Sequence, residues 1–427
     1  MAKRKPAISL ENFIPTHLMN YDACTRCGEC VKYCPTYKGR NYDRAIEPRD
    51  KIIRWRDWVT KSYGWRAKLL GPAAIPEKEI EKYTEDLYNC TICGMCGTVC
   101  PSGLDTIEMW ESNRANLVKR GNGPYGKQSL FPKLIGEKHN PYLKEQQDRL
   151  AWVTPDIKIA EKSDIAYFAG CTAGYNQHVI CVGTARILNR LNIPFMLLVP
   201  RLAALHNVEA LKTRGAKRVI YSCAGCFRTA MIDWPRAYGK ELPFESIHIS
   251  QFLAEQLEAG KIKWEKSFEK TITFHDPCHL GRHIGIFEEP RKILKSMPGV
   301  KLVEMERNRN EQRCCGAGGG VKAGLPDLAL NVAKDRMNDA LETGAEVLIS
   351  GCPFCRRNLL DGRDELKLDM KVDDIVVLAA HLMGLSTEIN TPPPGAPKEI
   401  ISDLFRTQSI PGKLVESQRE ALKAEKE

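Results

Sequence analysis

Cys24-Thr25-Arg26-Cys27-Gly28-Glu29-Cys30-Val31-Lys32-Tyr33-Cys34-Pro35 recurs, in its cysteine spacing, as Cys90-Thr91-Ile92-Cys93-Gly94-Met95-Cys96-Gly97-Thr98-Val99-Cys100-Pro101. Three cysteines spaced by two residues can wrap a [4Fe-4S] cube from one loop, with a fourth thiolate arriving from elsewhere, and the proline after the last Cys turns the chain away. In the two-cluster pattern that fourth Cys serves the other cube. Cys24, Cys27, Cys30 and Cys100 are therefore expected on one [4Fe-4S] cluster and Cys90, Cys93, Cys96 and Cys34 on the other. Zinc knuckles or a disulfide framework would not demand this doubled four-Cys-plus-Pro spacing.

Working outward, the 55 residues from Pro35 to Asn89 are rich in Arg, Lys and Trp, with helical spacing in Ile52, Ile53, Trp55, Trp58 and Val59. Helix thus replaces the short loop of a minimal ferredoxin, and Thr106 to Lys119 continues the pattern. Pro124 to Leu150 shows little periodicity and reads as an extended connector, which places a domain boundary near residue 150. From Asp164 onward, short β-rich runs alternate with helical stretches. Strands are expected at Ile165–Phe168, Phe195–Val199 and Arg218–Tyr221, with helices over Gln177–Leu191 and Val208–Arg214. The same order returns as Thr271–Phe274, a helix through Pro290–Lys295, Lys301–Val303, a helix over Leu325–Glu342, and Glu346–Ile349, so the region is an internal repeat. The fold class is mixed: an α-helical ferredoxin domain with two [4Fe-4S] clusters (1–150), then a tandem α/β repeat (151–270 and 271–385). The tail 386–427, with Pro392-Pro393-Pro394-Gly395, lacks apolar content and is expected to be mobile or a docking arm.

Composition bounds the function classes. The chain has 427 residues, 43% hydrophobic and 27% charged, as in a globular protein of two or three domains. Seventeen cysteines behind a start with no apolar leader point to metal ligation in the cytoplasm. The longest apolar stretch, Ile375 to Leu385, is interrupted by His381 and too short to span a bilayer, so membrane association is expected to be peripheral, through a partner protein. The net charge of +10 is partly offset by anionic clusters, and no nucleic-acid partner is expected.

The second repeat carries Cys278, then Cys314-Cys315, then Cys352-x-x-Cys355, with 35 and 36 residues between the groups. Adjacent residues in extended chain point to opposite sides, so a Cys-Cys pair suits a multi-iron cluster better than one zinc. Gly316, Gly318, Gly319 and Gly320 permit close backbone approach to an anionic group. His279 and His283, with Arg282, are candidate proton donors beside these thiols, or equally a solvated basic turn.

His275-Asp276-Pro277-Cys278-His279, Cys314-Cys315-Gly316-Ala317-Gly318-Gly319-Gly320 and Cys352-Pro353-Phe354-Cys355 resemble the cysteine-rich CCG domain of heterodisulfide reductases and related iron-sulfur oxidoreductases. Joined to the two-cluster module, the layout resembles the D-type component of heterodisulfide reductase over residues from about 20 to 385. That resemblance implies a non-cubane [4Fe-4S] cluster on Cys278, Cys314, Cys315, Cys352 and Cys355, at which a disulfide, small or protein-borne, is reduced or formed. It implies a respiratory complex with a membrane b-type cytochrome or other redox subunits. Two further readings share these modules: the iron-sulfur relay of a flavin-dependent 2-hydroxyacid or glycerol-3-phosphate dehydrogenase, and a non-catalytic electron-transfer adaptor.

The first repeat departs from the pattern. Gly170-Cys171 and Cys223-Ala224-Gly225-Cys226 match its ends, but no Cys-Cys-Gly lies between, and Cys171 to Cys223 spans 52 positions against 74 from Cys278 to Cys352. This half is not expected to hold its own non-cubane cluster. Its three thiols read as structural remnants that could take up zinc or act as a dithiol. Cys181, His178 and His206 read as structural.

Overall fold

The computed structural model describes residues 5–199, 201 and 203–389. Its N-terminal part is helical. The helices Pro48–Tyr63 and Glu77–Tyr88 turn one apolar stripe inward (Ile52 and Trp55 on the first, Ile80, Tyr83 and Leu87 on the second), as three- and four-residue spacing dictates. The helix Thr106–Arg120 closes this core with Met109 and Trp110; Asp105 caps its start by accepting from Glu108 N, and Gly121 ends it. Asn113 ties the layers together, its side-chain amide donating to the hydroxyls of Tyr21 at 2.6 Å and Tyr83 at 2.9 Å. Trp55 is fully buried, and truncating it to Ala would cost about 3–5 kcal/mol.

The stretch expected as an extended connector is not extended. It holds a 3-10 turn at Gly126–Leu130, a helix at Phe131–Lys138 and a second 3-10 turn at Gln147–Leu150. Pro132 at the helix start and the Phe131–Ile135 spacing favour the turn of helix, but with one partly buried face it leaves only a weak periodic signal.

Eight short strands follow: β1 (Ile165–Phe168), β2 (Met196–Leu198), β3 (Arg218–Tyr221), β4 (Glu245–His248), β5 (Lys270–His275), β6 (Val300–Val303), β7 (Val347–Ser350) and β8 (Lys371–Asp374). They form two all-parallel sheets of one topology, β2-β1-β3-β4 and β6-β5-β7-β8. Register is equivalent in the two, with Phe168 opposite Tyr221 and His275 opposite Ser350 at the carboxyl ends. The duplication read from the sequence is therefore a duplication of fold. The expected strands are present, and each sheet has a further edge strand, β4 or β8.

The two halves share one core in which Tyr167, Ile220 and Ile247 meet Phe274, Ile349 and Val376. The apolar stretch from Ile375 becomes the helix Ile375–Leu382, buried against the helix His178–Arg190. Cys181 is buried in that shared core, as a small apolar residue. No helix among the described residues is long and apolar enough to cross a membrane. The tail's first residues are held by Arg186, which donates to Ser386 O at 2.7 Å; residues 390–427 lie outside the described residues.

Candidate functional site

The two cysteine loops have one backbone shape. Arg26 and Ile92, two residues after the first cysteine of each, have φ of 61° and 53°, and Gly28 and Gly94 have φ of 83° and 78°. Each loop leads into a single turn of helix, Glu29–Lys32 or Met95–Thr98, before the fourth cysteine. Cys24, Cys27, Cys30 and Cys100 line one cavity, with Arg49 at its wall. Cys34 instead faces Cys90 and lies beside buried Lys51. The folded chain thus brings each fourth cysteine to the opposite loop. Cys96 sits between the groups: it lines the first cavity, is in the field of Cys90, and accepts from the Trp110 indole N–H at 3.5 Å. Burial pushes its thiol up to about 12.

The second constellation is assembled by the carboxyl ends of β5 and β7. Cys278 follows β5, Cys352 and Cys355 follow β7, and the loop after β6 delivers Cys314 and Cys315; all five are buried. Cys315 Sγ lies 3.3 Å from Cys355 Sγ. Thiol hydrogen bonds pull Cys315 and Cys352 well below the usual range: Cys314 and Cys355 donate to the first, Cys223 and Cys355 to the second. Cys355 is correspondingly pushed up by those bonds first and by burial second, and Cys278 is pushed up by its own hydrogen bond to Cys314 and then by burial. The result is a continuous line of sulfur contacts through Cys314, Cys315, Cys355 and Cys352.

That line runs on at both ends. At one end Cys93 of the second cysteine loop is in thiol contact with Cys314. Around this contact Arg282 donates from Nε to Cys93 O at 2.8 Å and from Nη1 to Gln312 O at 2.6 Å, while Arg114 donates to Cys90 O at 2.7 Å and Gly319 O at 2.8 Å. At the other end Cys223 touches both Cys352 and Cys226. The first half's thiols are therefore not remnants set apart: one is seated on the second half's site. Cys171 and Cys226 complete this group, Cys226 Sγ filling the space where a side chain on Gly170 would stand.

His279 and His283 pack together between these ends, ring centroids 4.6 Å apart and planes tilted by 52°. His279 faces Gly225 and His283 faces Gly94, so the pair spans from the Cys223 loop to the Cys93 loop. Burial, aided by the cations Arg228 and Arg282, lowers them to about 4 and about 2, so both are neutral rings able to offer an N–H.

Sequence reasoning quoted His275 within a motif but gave it no role. It ends β5, fully buried, with one ring nitrogen within 4.8 Å of the sulfurs of Cys315 and Cys355. Arg336 Nε donates to its Nδ1 at 3.2 Å, and Nε2 has no hydrogen-bond partner among the described residues. The only available signal was a histidine three residues before Cys278 at a strand end.

The donor set fits anionic iron-sulfur groups. Lys51, Arg114 and Arg282 are cations packed among thiols, and none makes an ion pair among the described residues, so thiolates and an anionic group held by them would balance these charges. Gly318 and Gly319 pass so close to the Cys90 loop that a side chain on either would meet backbone at 2.7 and 2.4 Å. A single zinc fits less well at Cys171, Cys223 and Cys226, because among the described residues these three sulfurs do not all lie within 4.8 Å of one another.

Comparison with known proteins agrees with this geometry. A 4Fe-4S dicluster domain model matches residues 20–104 and a cysteine-rich CCG domain model matches 272–360. The chain is 56% identical to the D subunit of dihydromethanophenazine:CoB–CoM heterodisulfide reductase from Methanosarcina mazei, covering 91% of this chain and 100% of that one. The chain belongs to the heterodisulfide reductase D-subunit family. The D subunit from Methanosarcina barkeri is 57% identical with the same coverage. More distantly, this D-subunit homologue is 31% identical to the B subunit of a fumarate reductase (CoM/CoB) from Methanothermobacter marburgensis, covering 83% and 71% of the two chains. It is an iron-sulfur oxidoreductase subunit that transfers electrons.

A cleft of about 460 Å³ opens beside the thiol line. Phe131 and Tyr142 from the former connector, Thr172 next to Cys171, Phe354 between Cys352 and Cys355, and the cations Lys322 and Arg357 line it. Tyr142 donates to or accepts from Thr172 Oγ1 at 2.8 Å and also faces Cys171 and Cys223.

Proposed function

We propose that this chain is the catalytic subunit of a heterodisulfide reductase, carrying electrons through two [4Fe-4S] cubanes to a third, non-cubane [4Fe-4S] site where a disulfide is reduced. The proposed ligands are Cys24, Cys27, Cys30 and Cys100 for the outer cube, Cys90, Cys93, Cys96 and Cys34 for the inner cube, and Cys278, Cys314, Cys315, Cys352 and Cys355 for the third group. The proposed modules are 1–150, 151–270, 271–385 and 386–427. One observation carries this reading: the sulfur line is unbroken from the Cys90 loop, through Cys93, Cys314, Cys315 and Cys355, to Cys352, and Phe354, between the last two in sequence, lines the cleft.

The bound clusters would supply one-electron transfer at low potential. The polypeptide does the rest. Phe131 and Phe354 present apolar surface to a substrate chain, and Lys322 and Arg357, which share the single carboxylate of Asp361, leave one positive charge in excess to favour an anionic one. His279 and His283, as neutral rings, offer N–H groups toward departing thiolates. Arg114 and Arg282 hold the inner cube's loop against the third site, so the two centres cannot separate.

The Methanosarcina relatives are named for a reduced phenazine as donor and the CoB–CoM disulfide as acceptor. By that kinship the donor to the outer cube is another redox subunit, proposed as a membrane b-type cytochrome, with this chain peripheral on the cytoplasmic face. The test combines iron and acid-labile sulfide counts on anaerobically prepared protein with paramagnetic resonance, before and after adding CoB–CoM disulfide. Three clusters are expected, with one signal perturbed by the disulfide. Iron confined to the two cubes, with the five later thiols free, would leave a simple carrier.

A further inference from the structure

Leu70, Leu69 and Trp65 are the most exposed large apolar side chains among the described residues, at 81%, 75% and 70%, and they share one six-residue helix, Trp65–Leu70. Gly64 folds this helix sharply off the end of Pro48–Tyr63, where a side chain would meet Thr60 O at 2.5 Å, and Gly71, with φ of 85°, ends it. At about 100° per residue, Lys68, Trp65, Leu69, Arg66 and Leu70 follow one another around the outward side, while Ala67, the helix's buried residue, faces the protein. Cations therefore alternate with the apolar side chains. The Arg66 guanidinium lies 5.2 Å from the Trp65 ring centroid, and neither Arg66 nor Lys68 makes an ion pair among the described residues. Beside them is a groove of about 600 Å³, lined by Lys61, Trp65, Arg66 and Leu70 and by no acidic residue; Lys61 is paired with Asp57 at 2.8 Å. Two positive charges are left in excess on this apolar turn.

Charge selects what covers it. The cytoplasmic face of a membrane protein carries an excess of Lys and Arg, which repels Arg66 and Lys68. An anionic leaflet attracts both, and its headgroup layer accepts Trp and Leu side chains flanked by cations. We propose that Trp65–Leu70 rests in the headgroup layer of an anionic membrane, with Trp65, Leu69 and Leu70 entering it and Arg66 and Lys68 meeting lipid phosphates. This rests on the membrane placement proposed above, to which it adds a direct lipid contact, and not on the disulfide chemistry. One short apolar turn gives reversible binding, so it acts as the second of two anchors, the partner subunit being the first. The contact also orients the chain. Arg49, at the wall of the outer cube's cavity, stands near the start of the helix Pro48–Tyr63, and the lipid-facing turn follows its end. At 1.5 Å per residue that helix is about 24 Å long, so the contact keeps the outer cube within about one helix length of the leaflet.

The experiment uses the full-length, cluster-loaded protein without partner subunits, sedimented anaerobically at low salt with vesicles of phosphatidylcholine alone or mixed with equal parts of phosphatidylglycerol. Binding is expected to the mixed vesicles and to weaken as salt is raised. A variant carrying R66Q and K68Q should bind them about thirtyfold more weakly, and one carrying L69S and L70S at least about tenfold more weakly, each with unchanged iron content and paramagnetic spectra. Trp65 is the one exposed tryptophan of seven, so mixed vesicles with brominated acyl chains should quench part of the tryptophan emission of the parent and none of that part in W65F. Absence of binding, equal binding to both vesicles, or parental binding by both variants would overturn the proposal. So would loss of a co-purifying partner subunit from the L69S and L70S variant in lipid-free detergent, which would assign the turn to a protein. A parent that binds mixed vesicles but reduces no disulfide overturns the functional reading and leaves the lipid contact standing.

Discussion

Arg336 decides what His275 can do. The guanidinium is fully buried, held by Asp339 and Arg307 O, and its Nε–H donates to His275 Nδ1. An acceptor Nδ1 places the ring proton on Nε2, and burial keeps the ring neutral, its pKa lowered to about 3. With one ring nitrogen within 4.8 Å of the Cys315 and Cys355 sulfurs, the ring can offer its unpartnered Nε2–H to a group those sulfurs would ligate. Such a donor favours the form of the site carrying more negative charge. A hydrogen bond to a charged group contributes about 1.5 kcal/mol, equivalent to roughly 60 mV for a one-electron couple. H275F should therefore lower the potential of the CCG-domain site by about that amount and leave the Cys24 cube unmoved, as read by a redox titration followed by paramagnetic resonance. Equal shifts at both centres would mean a general loss of packing. His275 escaped the sequence reading because a lone histidine carries no spacing signal, whereas every proposed thiol ligand belongs to a repeated interval.

At the scale of elements, β4 and its successor helix Ile249–Glu258 show what the sequence concealed. Glu245-Ser246-Ile247-His248 holds one large apolar residue, and Lys371-Val372-Asp373-Asp374 holds one, so neither edge strand advertises itself by alternation. Strands β1, β3, β5 and β7 are central, buried on both faces, and read as continuous β-branched and aromatic runs. His248 is legible only in three dimensions. It caps the following helix, with Nδ1 accepting from Ser250 N, while Nε2 donates across the halves to Gly351 O at 3.1 Å. Burial lowers its pKa from 6.5 to about 4. The unfolded chain therefore binds a proton that the folded chain refuses, and stability is lost as pH falls through that window. Between about pH 7.5 and about pH 5 the loss from this group is about 2 kcal/mol. H248N, which retains a capping side chain but cannot titrate, should show a pH dependence of denaturant unfolding shallower by that amount. An unchanged slope would show that His248 does not carry it.

Across the whole molecule, the decisive contact is the one between modules that lie far apart in the chain. The sequence announced both cysteine systems but not that they touch, because no local pattern encodes a distance between residues 93 and 314. What makes the contact possible is the absence of side chains. Gly319 has φ of 58°, in the left-handed region, and an added Cβ would stand 2.4 Å from Cys90 O and 2.9 Å from Thr91 C, both backbone atoms of the other module. Alanine there costs about 1–2 kcal/mol for the conformation alone. The remaining clash can be relieved only by moving the Cys90 loop away, which breaks the bridge that Arg114 makes between Gly319 O and Cys90 O. Because a displacement of about 1 Å at a reacting centre can cost about a hundredfold in rate, G319A should assemble its iron normally yet pass electrons from the inner cube to disulfide far more slowly. Rapid-mixing oxidation of dithionite-reduced protein by CoB–CoM disulfide measures this step, and R114M, which removes the bridge without a clash, should slow it in the same direction. If both variants keep the parental rate while holding all their iron, electrons reach the disulfide by a route that does not pass through this seam.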